Sequence, residues 1–245
     1  MSDCLEHAIR PDWRPHPRVR ALVTTRRGGI STAPFDSLNL GDHVGDAPEA
    51  VAHNRALVAA MLPVAPLWLS QVHGTTVADA AQAADGVEAD AAVVLGPERV
   101  CTIMTADCLP VLLARRDGQG VGAAHAGWRG LCNGVLEATV ERLGGGEGVE
   151  AWLGPAIGPS AFEVGEEVRA AFMQHDPAAA AAFQPGRLPG KWWADIYLLA
   201  RQRLAHAGVT AVSGGGFCTV TDAARFYSYR RERETGRMAS MIWLE

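Results

Sequence analysis

The sequence predicts an α+β fold, with mixed β-sheets layered with helices in a single domain over residues 1–245. Apolar runs rich in β-branched residues cluster between residues 91 and 125, and segments with helical spacing stand on both sides of them. No regular alternation of strand and helix is visible, which argues against one parallel sheet. We expect residues 1–18, which contain several prolines and arginines, to form an irregular N-terminal segment.

The predicted strands are short apolar runs, several of them nearly continuous and therefore expected to be buried on both faces. They are Val19–Thr25, Ala91–Leu95, Val100–Thr105, Leu109–Ala114, Gly120–His125 and Thr210–Gly214. Apolar residues at helical spacing predict helices at Ala47–Met61, Gly130–Leu143, Gly165–His175 and Trp193–Ala207.

Glycine and proline mark where these elements should end. Gly144–Gly146 should end the second helix, because glycine readily adopts positive φ. Gln184–Gly190, which contains both proline and glycine, is typical of a long surface loop.

The composition argues against a nucleic-acid-binding protein and against a membrane protein. The net charge of −5 lacks the basic excess of nucleic-acid-binding proteins. No apolar stretch reaches the roughly 18 residues needed to span a membrane. We expect a cytoplasmic protein that binds neither nucleic acid nor membrane, and no protein partner can be read from the sequence. The five cysteines are an odd, widely spaced set, which indicates reduced thiols.

A predicted hairpin brings a cysteine close to a histidine. The Asp-Gly pair at 117–118, between two apolar runs, indicates a tight turn. That turn would place Cys108 opposite Gly127, with His125 on the same face and Cβ atoms roughly 7–8 Å apart. A thiolate and an imidazole at this separation could bind one metal ion.

His73, which follows an apolar segment and precedes Gly74, could supply a third ligand. Two imidazoles and a thiolate suit zinc and leave one coordination position open, as catalytic zinc sites do. The residues alone leave an alternative open, in which Cys108 is a nucleophile and His125 its base.

Several strings resemble, in order, motifs of the YfiH family, also called the laccase-domain or multicopper polyphenol oxidase family. They are TTRRGG, SLNLGDHVGD, SQVHGTTV, TADCLPVLL, GAAHAGWRGL, LGPAIGP followed by FEVG, and FYSYRRERETGR. The resemblance runs from about residue 20 to the C-terminus. It implies a fold of mixed sheets covered by helices and zinc held by His73, Cys108 and His125.

The resemblance also implies an activity on purine nucleosides. Expected reactions are phosphorolysis of adenosine, inosine or methylthioadenosine, and deamination of adenosine. Zinc lowers the pKa of bound water to about 7, which fits attack at C6 of adenine. Asp107 could move a proton in that step if the strand end is irregular; otherwise it would serve as a cap or an internal ion pair.

Inorganic phosphate requires cations, and guanidinium groups bind its oxygens in bidentate fashion. Arg129 is the main candidate, because Gly127–Gly130 would open a helix whose first N–H groups are unpaired. Arg26, Arg230 and Arg231 are candidates from the family strings. Asn39 and His43 have groups suited to a ribose or a base edge, although Asn beside Gly also stabilises turns.

Three other functions remain open. The same ligands could support a copper-dependent phenol oxidase, although no axial methionine is evident near them in sequence. Cys108 and His125 could form a metal-free hydrolase. A noncatalytic role in cell-wall editing is the third.

Overall fold

The computed structural model describes residues 6–245, and these residues form mixed sheets covered by helices, which confirms the α+β class. The strands are β1 (Val19–Val23), β2 (Pro66–Leu67), β3 (Val77–Asp79), β4 (Ala91–Val94), β5 (Val100–Thr105), β6 (Leu109–Arg115), β7 (Val121–Ala126), β8 (Val149–Leu153), β9 (Glu163–Gly165), β10 (Phe183–Pro185), β11 (Lys191–Ala194), β12 (Ala211–Gly214) and β13 (Met238–Leu244). The helices are α1 (Pro48–Ala59), α2 (Trp128–Asn133), α3 (Val135–Arg142), α4 (Glu166–His175), α5 (Ile196–His206) and α6 (Tyr229–Glu232), with a 3-10 helix at Pro177–Ala182.

The strands of residues 6–245 form three sheets. The largest has six strands in the order β12-β8-β6-β7-β4-β3, and it is mixed, because β12 with β8 and β3 with β4 are parallel. A four-stranded sheet has the order β1-β13-β5-β2, and a small sheet has the order β10-β11-β9.

The six-stranded sheet is the central layer, because its two faces belong to two different cores. Alternate residues of a strand point to opposite faces. Leu112 of β6 packs with Ile103 and Ile242 of the four-stranded sheet. Its neighbour Leu113 packs on the other side with helical residues such as Leu136. Strand β6 is therefore sandwiched between a sheet and a layer of helices, as its continuous apolar sequence indicates.

All six predicted strands are present, with ends that differ by at most two residues from β1, β4, β5, β6, β7 and β12. The prediction missed the other seven strands of residues 6–245, β8 and β13 among them. Strand β13 is completely buried and pairs with both β1 and β5, so it is central to its sheet. Its sequence, MASMIWL, contains only one β-branched residue and no regular alternation, so it lacks the usual pattern of a strand.

Three predicted boundaries are wrong. The predicted helix Gly130–Leu143 is two helices, α2 and α3, separated by Gly134 with φ of +103°. The predicted helix Trp193–Ala207 begins only at Ile196, because Trp193 belongs to β11. Part of the predicted loop Gln184–Gly190 belongs to β10.

The structure also bears on the expected helix stop, the N-terminal segment, the cysteines and membrane-spanning helices. Gly144 and Gly145 have positive φ and end α3, as predicted. Residues 6–18 carry an isolated bridge between Ile9 and Val23, while residues 1–5, including Cys4, lie outside the described part. The four described cysteines are free thiols. Within residues 6–245, no helix combines the length and apolarity that crossing a membrane requires.

We expect Gly134→Ala to lower the free energy of unfolding by about 1–2 kcal/mol, the usual cost of a left-handed conformation for a residue with Cβ. A methyl group at this position meets its nearest atoms at 3.6 Å, so the cost comes from φ and not from a clash. Urea unfolding measures it.

Gly216→Ala is the matched control, because a Cβ there has nothing within 4 Å and its φ is not positive. Equal stability loss in both variants would contradict the assignment of a φ-dependent break between α2 and α3.

Candidate metal centre

The β6–β7 hairpin has the register predicted from an Asp117–Gly118 turn. Leu109 pairs with Ala126 and Pro110 with His125, so the same register places Cys108 opposite Gly127. A Cβ on Gly127 would lie 2.9 Å from Cδ2 of His73 and 3.0 Å from Sγ of Cys108. Glycine therefore leaves the space that these two side chains occupy.

His73, Cys108 and His125 converge, as the sequence predicted. One potential ligand atom from each lies within 4.8 Å of the other two. Sγ of Cys108 is 3.7 Å from Nε2 of His73. Adjacent ligand atoms of a tetrahedral zinc site are about 3.3–3.8 Å apart, given usual bond lengths. His125 is buried while His73 is exposed, so the group opens toward solvent on one side.

Asp90, which the sequence analysis missed, holds two of the ligands in place. Its fully buried carboxylate lies 2.8 Å from Nδ1 of His125. The same carboxylate accepts backbone N–H groups from Val72 at 3.2 Å, His73 at 2.9 Å and Gly74 at 2.6 Å. These contacts stabilise His73 at φ of +63°, an uncommon conformation for a residue with a side chain. Because Nδ1 of His125 is engaged, Nε2 is its free ligand atom.

Burial and mutual charge set the ionisation of the ligands. Burial raises the pKa of Cys108, but the charge and hydrogen bond of His125, with a hydrogen bond from His73, outweigh it and lower the pKa to about 6. Burial lowers the pKa of His125, but the Cys108 thiolate and Asp90 outweigh it and raise the pKa to about 9. Burial alone would raise the pKa of Asp90, whereas hydrogen bonds from His125 and Gly74 lower it.

Asp107 lies at an irregular strand end, with φ of +91°. Its carboxylate accepts a hydrogen bond from Oγ1 of Thr219 at 2.6 Å and another from the backbone N–H of Arg230 at 2.6 Å. Both oxygens are thus engaged within the protein. This geometry matches the alternative in which Asp107 acts as a helix cap. Its two hydrogen bonds hold α6 and the segment before it against the residue that precedes Cys108.

Two cavities meet at the ligands. The first, here called the metal cavity, has a volume of about 380 Å³. The second, here called the aromatic cavity, has a volume of about 260 Å³. Ala106, Cys108 and Tyr229 line both cavities. The metal cavity is otherwise lined by His43, Gln71, His73, Met104, Thr105, His125 and Arg237, and the aromatic cavity by Asp107, Trp128, Arg129, Ile157, Phe162, Ile196 and Arg230.

The structure brings three of the remaining predicted residues to these cavities. Arg129 is exposed and lies over the Trp128 ring at 4.4 Å. Arg230 also lines the aromatic cavity and donates to the carbonyl oxygen of Glu163 at 3.0 Å. His43 lines the metal cavity; partial burial and the charge of Arg237 lower its pKa. Helix α2 has only six residues and offers little helix dipole to an anion.

The polar groups of three other candidate substrate-binding residues are bound within the protein. The Asn39 amide is fully buried and is engaged by Gly41, Asp46 and the backbone N–H of Arg237. It has the turn role that Asn beside Gly favours, and lines neither cavity.

Arg26 lies outside both cavities, where it forms ion pairs with Glu232 at 3.0 Å and Asp36 at 3.4 Å. Arg231 donates to the carbonyl oxygens of Thr219, Val220 and Phe226. The structure therefore does not support the expectation that Arg26 and Asn39 bind the substrate, because their polar groups are already bound within the protein.

Gln71 and Arg237 line the metal cavity and were missed. The Gln71 amide exchanges two hydrogen bonds of 2.8 Å with the backbone of Met104, and this fixes the cavity wall. Both residues stand inside the quoted strings SQVHGTTV and FYSYRRERETGR, so the resemblance could have found them. For Asp90, the available signal is an acid directly before a buried apolar strand.

We expect Asp90→Asn to weaken zinc binding at least tenfold, because the partner that orients a ligand histidine typically contributes 10- to 100-fold in affinity. Competition with a chromophoric chelator measures the change. Asp85→Asn is the control, since Asp85 also binds a backbone N–H, that of Trp68, but lies apart from the ligands. Equal affinity in both variants would show that Asp90 does not support the centre.

In protein stripped with a chelator, we expect alkylation of Cys108 to be half-maximal near pH 6 and complete by pH 8, because the thiolate forms as pH rises through its pKa. Peptide mass mapping after iodoacetamide treatment gives the rate for each cysteine. Cys101 is the internal control, since burial raises its pKa and should keep it unreactive. A midpoint near 8.5 would contradict the expected thiolate.

The chain matches a family model described as multi-copper polyphenol oxidoreductase laccase over residues 20–245. It is 58% identical over 238 residues to a purine nucleoside phosphorylase of Pseudomonas aeruginosa, covering 97% of this chain and 98% of that protein. It is 54% identical to the purine nucleoside phosphorylase YfiH of Escherichia coli K12, covering 96% and 98%. The crystal structure of Neisseria meningitidis NMB0706 is similar with a TM-score of 0.93 at 49% identity, covering 98% and 99%. Together with the placement of the three ligand residues, these similarities establish that the chain belongs to the YfiH, or laccase-domain, family.

Proposed function

We propose that this chain is a zinc-dependent purine nucleoside enzyme. Its reactions would be phosphorolysis of adenosine, inosine or methylthioadenosine to the base and the (methylthio)ribose 1-phosphate, and hydrolytic deamination of adenosine to inosine. The observation that carries the proposal is the convergence of three metal-binding side chains where two cavities meet. The names of the Pseudomonas and Escherichia relatives support the phosphorylase activity.

The donor set supports zinc over copper. Two imidazoles and one thiolate, with a buried carboxylate behind one imidazole, fit zinc, which would supply Lewis-acid activation at neutral pH. A copper electron-transfer site adds a weak axial methionine. Met104 lines the metal cavity, but its sulfur contacts Nη2 of Arg55 at 3.8 Å. Residues 6–245 hold this one group of three convergent ligands, whereas a multicopper centre would need more.

The aromatic cavity suits a purine base. Trp128, Phe162 and Tyr229 contribute aromatic rings to its lining, and base–aromatic stacking contributes about 1–3 kcal/mol per base in nucleic-acid complexes. Because Cys108 and Tyr229 line both cavities, a nucleoside that spans them would lie beside the metal ligands. Arg129 and Arg230 stand at this cavity and are proposed to contact the nucleoside.

Asp107 is proposed as a positioning residue. Its carboxylate holds the backbone N–H of Arg230 and the hydroxyl of Thr219, so it keeps α6, with Tyr229 and Arg230, over the site. A fully engaged carboxylate is a poor proton carrier, and we therefore assign it no proton transfer.

A second candidate function is a metal-free hydrolase, with Cys108 as nucleophile and His125 as base. The Cys108 sulfur lies 3.7 Å from Nε2 of His73 and within 4.8 Å of a ring nitrogen of His125, and this supports the hydrolase because an adjacent histidine activates a thiol. Chelation separates the two functions: nucleoside turnover that survives complete removal of zinc would favour the hydrolase.

We expect metal-analysed protein to convert adenosine and phosphate into adenine, ribose 1-phosphate and inosine. Cys108→Ala should form none of these, because the variant lacks one of three ligands. Chromatography of the products and zinc analysis of both proteins provide the measurement.

Cys101→Ala is the matched control, because Cys101 is a buried core thiol of β5 and does not line either cavity. It should retain both zinc and turnover. Equal product from Cys108→Ala and the parent would overturn the proposed function.

A further inference from the structure

Arg237 lies in the metal cavity without an acidic partner. Its Nη1 donates to the carbonyl oxygens of Thr235 at 3.0 Å and Gly236 at 3.1 Å. Within residues 6–245, both hydrogen bonds of the guanidinium come from Nη1, so Nε and Nη2 are free to donate, and no carboxylate lies within ion-pair distance. By contrast, Arg26 and Arg55, which are also partly buried, are paired with acids.

The position of Arg237 is fixed. Its backbone N–H donates to Oδ1 of Asn39 at 2.9 Å, and a Cβ on Gly41 would lie 2.7 Å from Cγ of Arg237. Gly41 thus leaves the groove in which the arginine stem lies. A cation held in this way loses solvation, and burial lowers the pKa of Arg237, although the charges of the Cys108 thiolate and the Asp107 carboxylate oppose this. Such a desolvated cation is stabilised when a ligand supplies the missing negative charge.

The lining of the metal cavity indicates what kind of ligand this is. None of its ten lining residues is an aspartate or glutamate, whereas Arg237 and three histidines are among them. A divalent ion bound by His73, Cys108 and His125 would add further positive charge. Two free guanidinium donors in a planar fork match two oxygens of a tetrahedral oxyanion.

The two other arginines at the site are less suited to this role. Arg129 is exposed, so its charge is hydrated without a ligand. Arg230 already donates to the carbonyl oxygen of Glu163 at 3.0 Å. Both line the aromatic cavity, where the remaining walls are mainly apolar side chains.

We propose that Arg237, with His43, which lines the same cavity, forms the subsite for inorganic phosphate in the metal cavity, so that phosphate and purine base occupy separate cavities. This inference rests on the proposed function and deepens it. In phosphorolysis, a phosphate oxygen bonds to C1′ of the ribose while the bond from C1′ to N9 breaks. The electron pair stays on the purine, and the proton of hydrogen phosphate neutralises it. Ribose 1-phosphate and the free base result.

Titration calorimetry with inorganic phosphate on the zinc-loaded protein tests the subsite without turnover. Arg237→Gln should weaken phosphate binding at least tenfold, and Arg237→Lys should weaken it less, because lysine keeps the charge and loses the fork. Arg201→Gln is the matched control. Arg201 is also held by carbonyl oxygens, those of Val212 and Gly214, but stands at the β12 edge away from both cavities. Its replacement should leave the phosphate Kd unchanged.

Zinc content and thermal unfolding show whether each variant keeps its fold; if Arg237→Gln does not fold, Arg237→Lys decides. Phosphate binding that is unaltered in the folded Arg237 variant, or lost in Arg129→Gln instead, would overturn the assignment, as would a parent protein that binds no phosphate. Turnover assays add a second measurement: the ratio of phosphorolysis to deamination should fall at least tenfold in Arg237→Gln. If the parent binds phosphate through Arg237 but converts no nucleoside, the proposed function fails and the subsite stands.

Discussion

The buried carboxylate of Asp90 is the interaction on which the metal centre depends. It binds the imidazole of His125 on β7 and three successive backbone N–H groups in the 72–74 loop, so one side chain joins two ligand-bearing segments distant in sequence. These groups are buried or part-buried, and losing their common acceptor would leave several donors unsatisfied. The left-handed backbone of His73 persists because the same carboxylate holds it. A single buried carboxylate thereby orients the imidazole of His125 and fixes the backbone of His73.

The layers of the fold place this carboxylate and the third ligand together. Strand β4, which follows Asp90, pairs with β7, and β7 pairs with β6, which follows Cys108. His125 therefore lies on β7 and Cys108 directly precedes the neighbouring β6, while Asp90 ties the loop that carries His73 to the same sheet, which is packed on both faces. Asp107 extends this arrangement to the C-terminal part of the chain, because it holds Thr219 and the start of α6. Asp107 and Cys108, which directly precede β6, thus connect the metal ligands with the walls of the two cavities.

The charges around the centre are divided between two cavities. The metal cavity has a fixed arginine and three histidines but no carboxylate side chain in its wall, while the second cavity has aromatic and aliphatic walls with arginines at its edge. An anionic reactant such as phosphate would favour the metal cavity, and a flat aromatic base would favour the aromatic cavity. Their meeting point, at Cys108 and Tyr229, is where the proposed chemistry would take place.

The sequence by itself determined what depends on local pattern and on residue type. Six apolar strands, the β6–β7 register and the convergence of Cys108 with His125 follow from alternation and one Asp-Gly turn. His73 was a candidate ligand from its place between an apolar segment and a glycine, and the family strings supported it. Only the tertiary structure decided the rest. Strand β13 is central because distant strands β1 and β5 flank it, Asp90 acts on residues far along the chain, and Arg26 and Asn39 are bound by internal partners. Arg237 was likewise one arginine among many until the fold placed it in a cavity without an acid. Pairing and burial between distant segments leave no periodic mark in the chain, and for that reason local pattern could not reveal them.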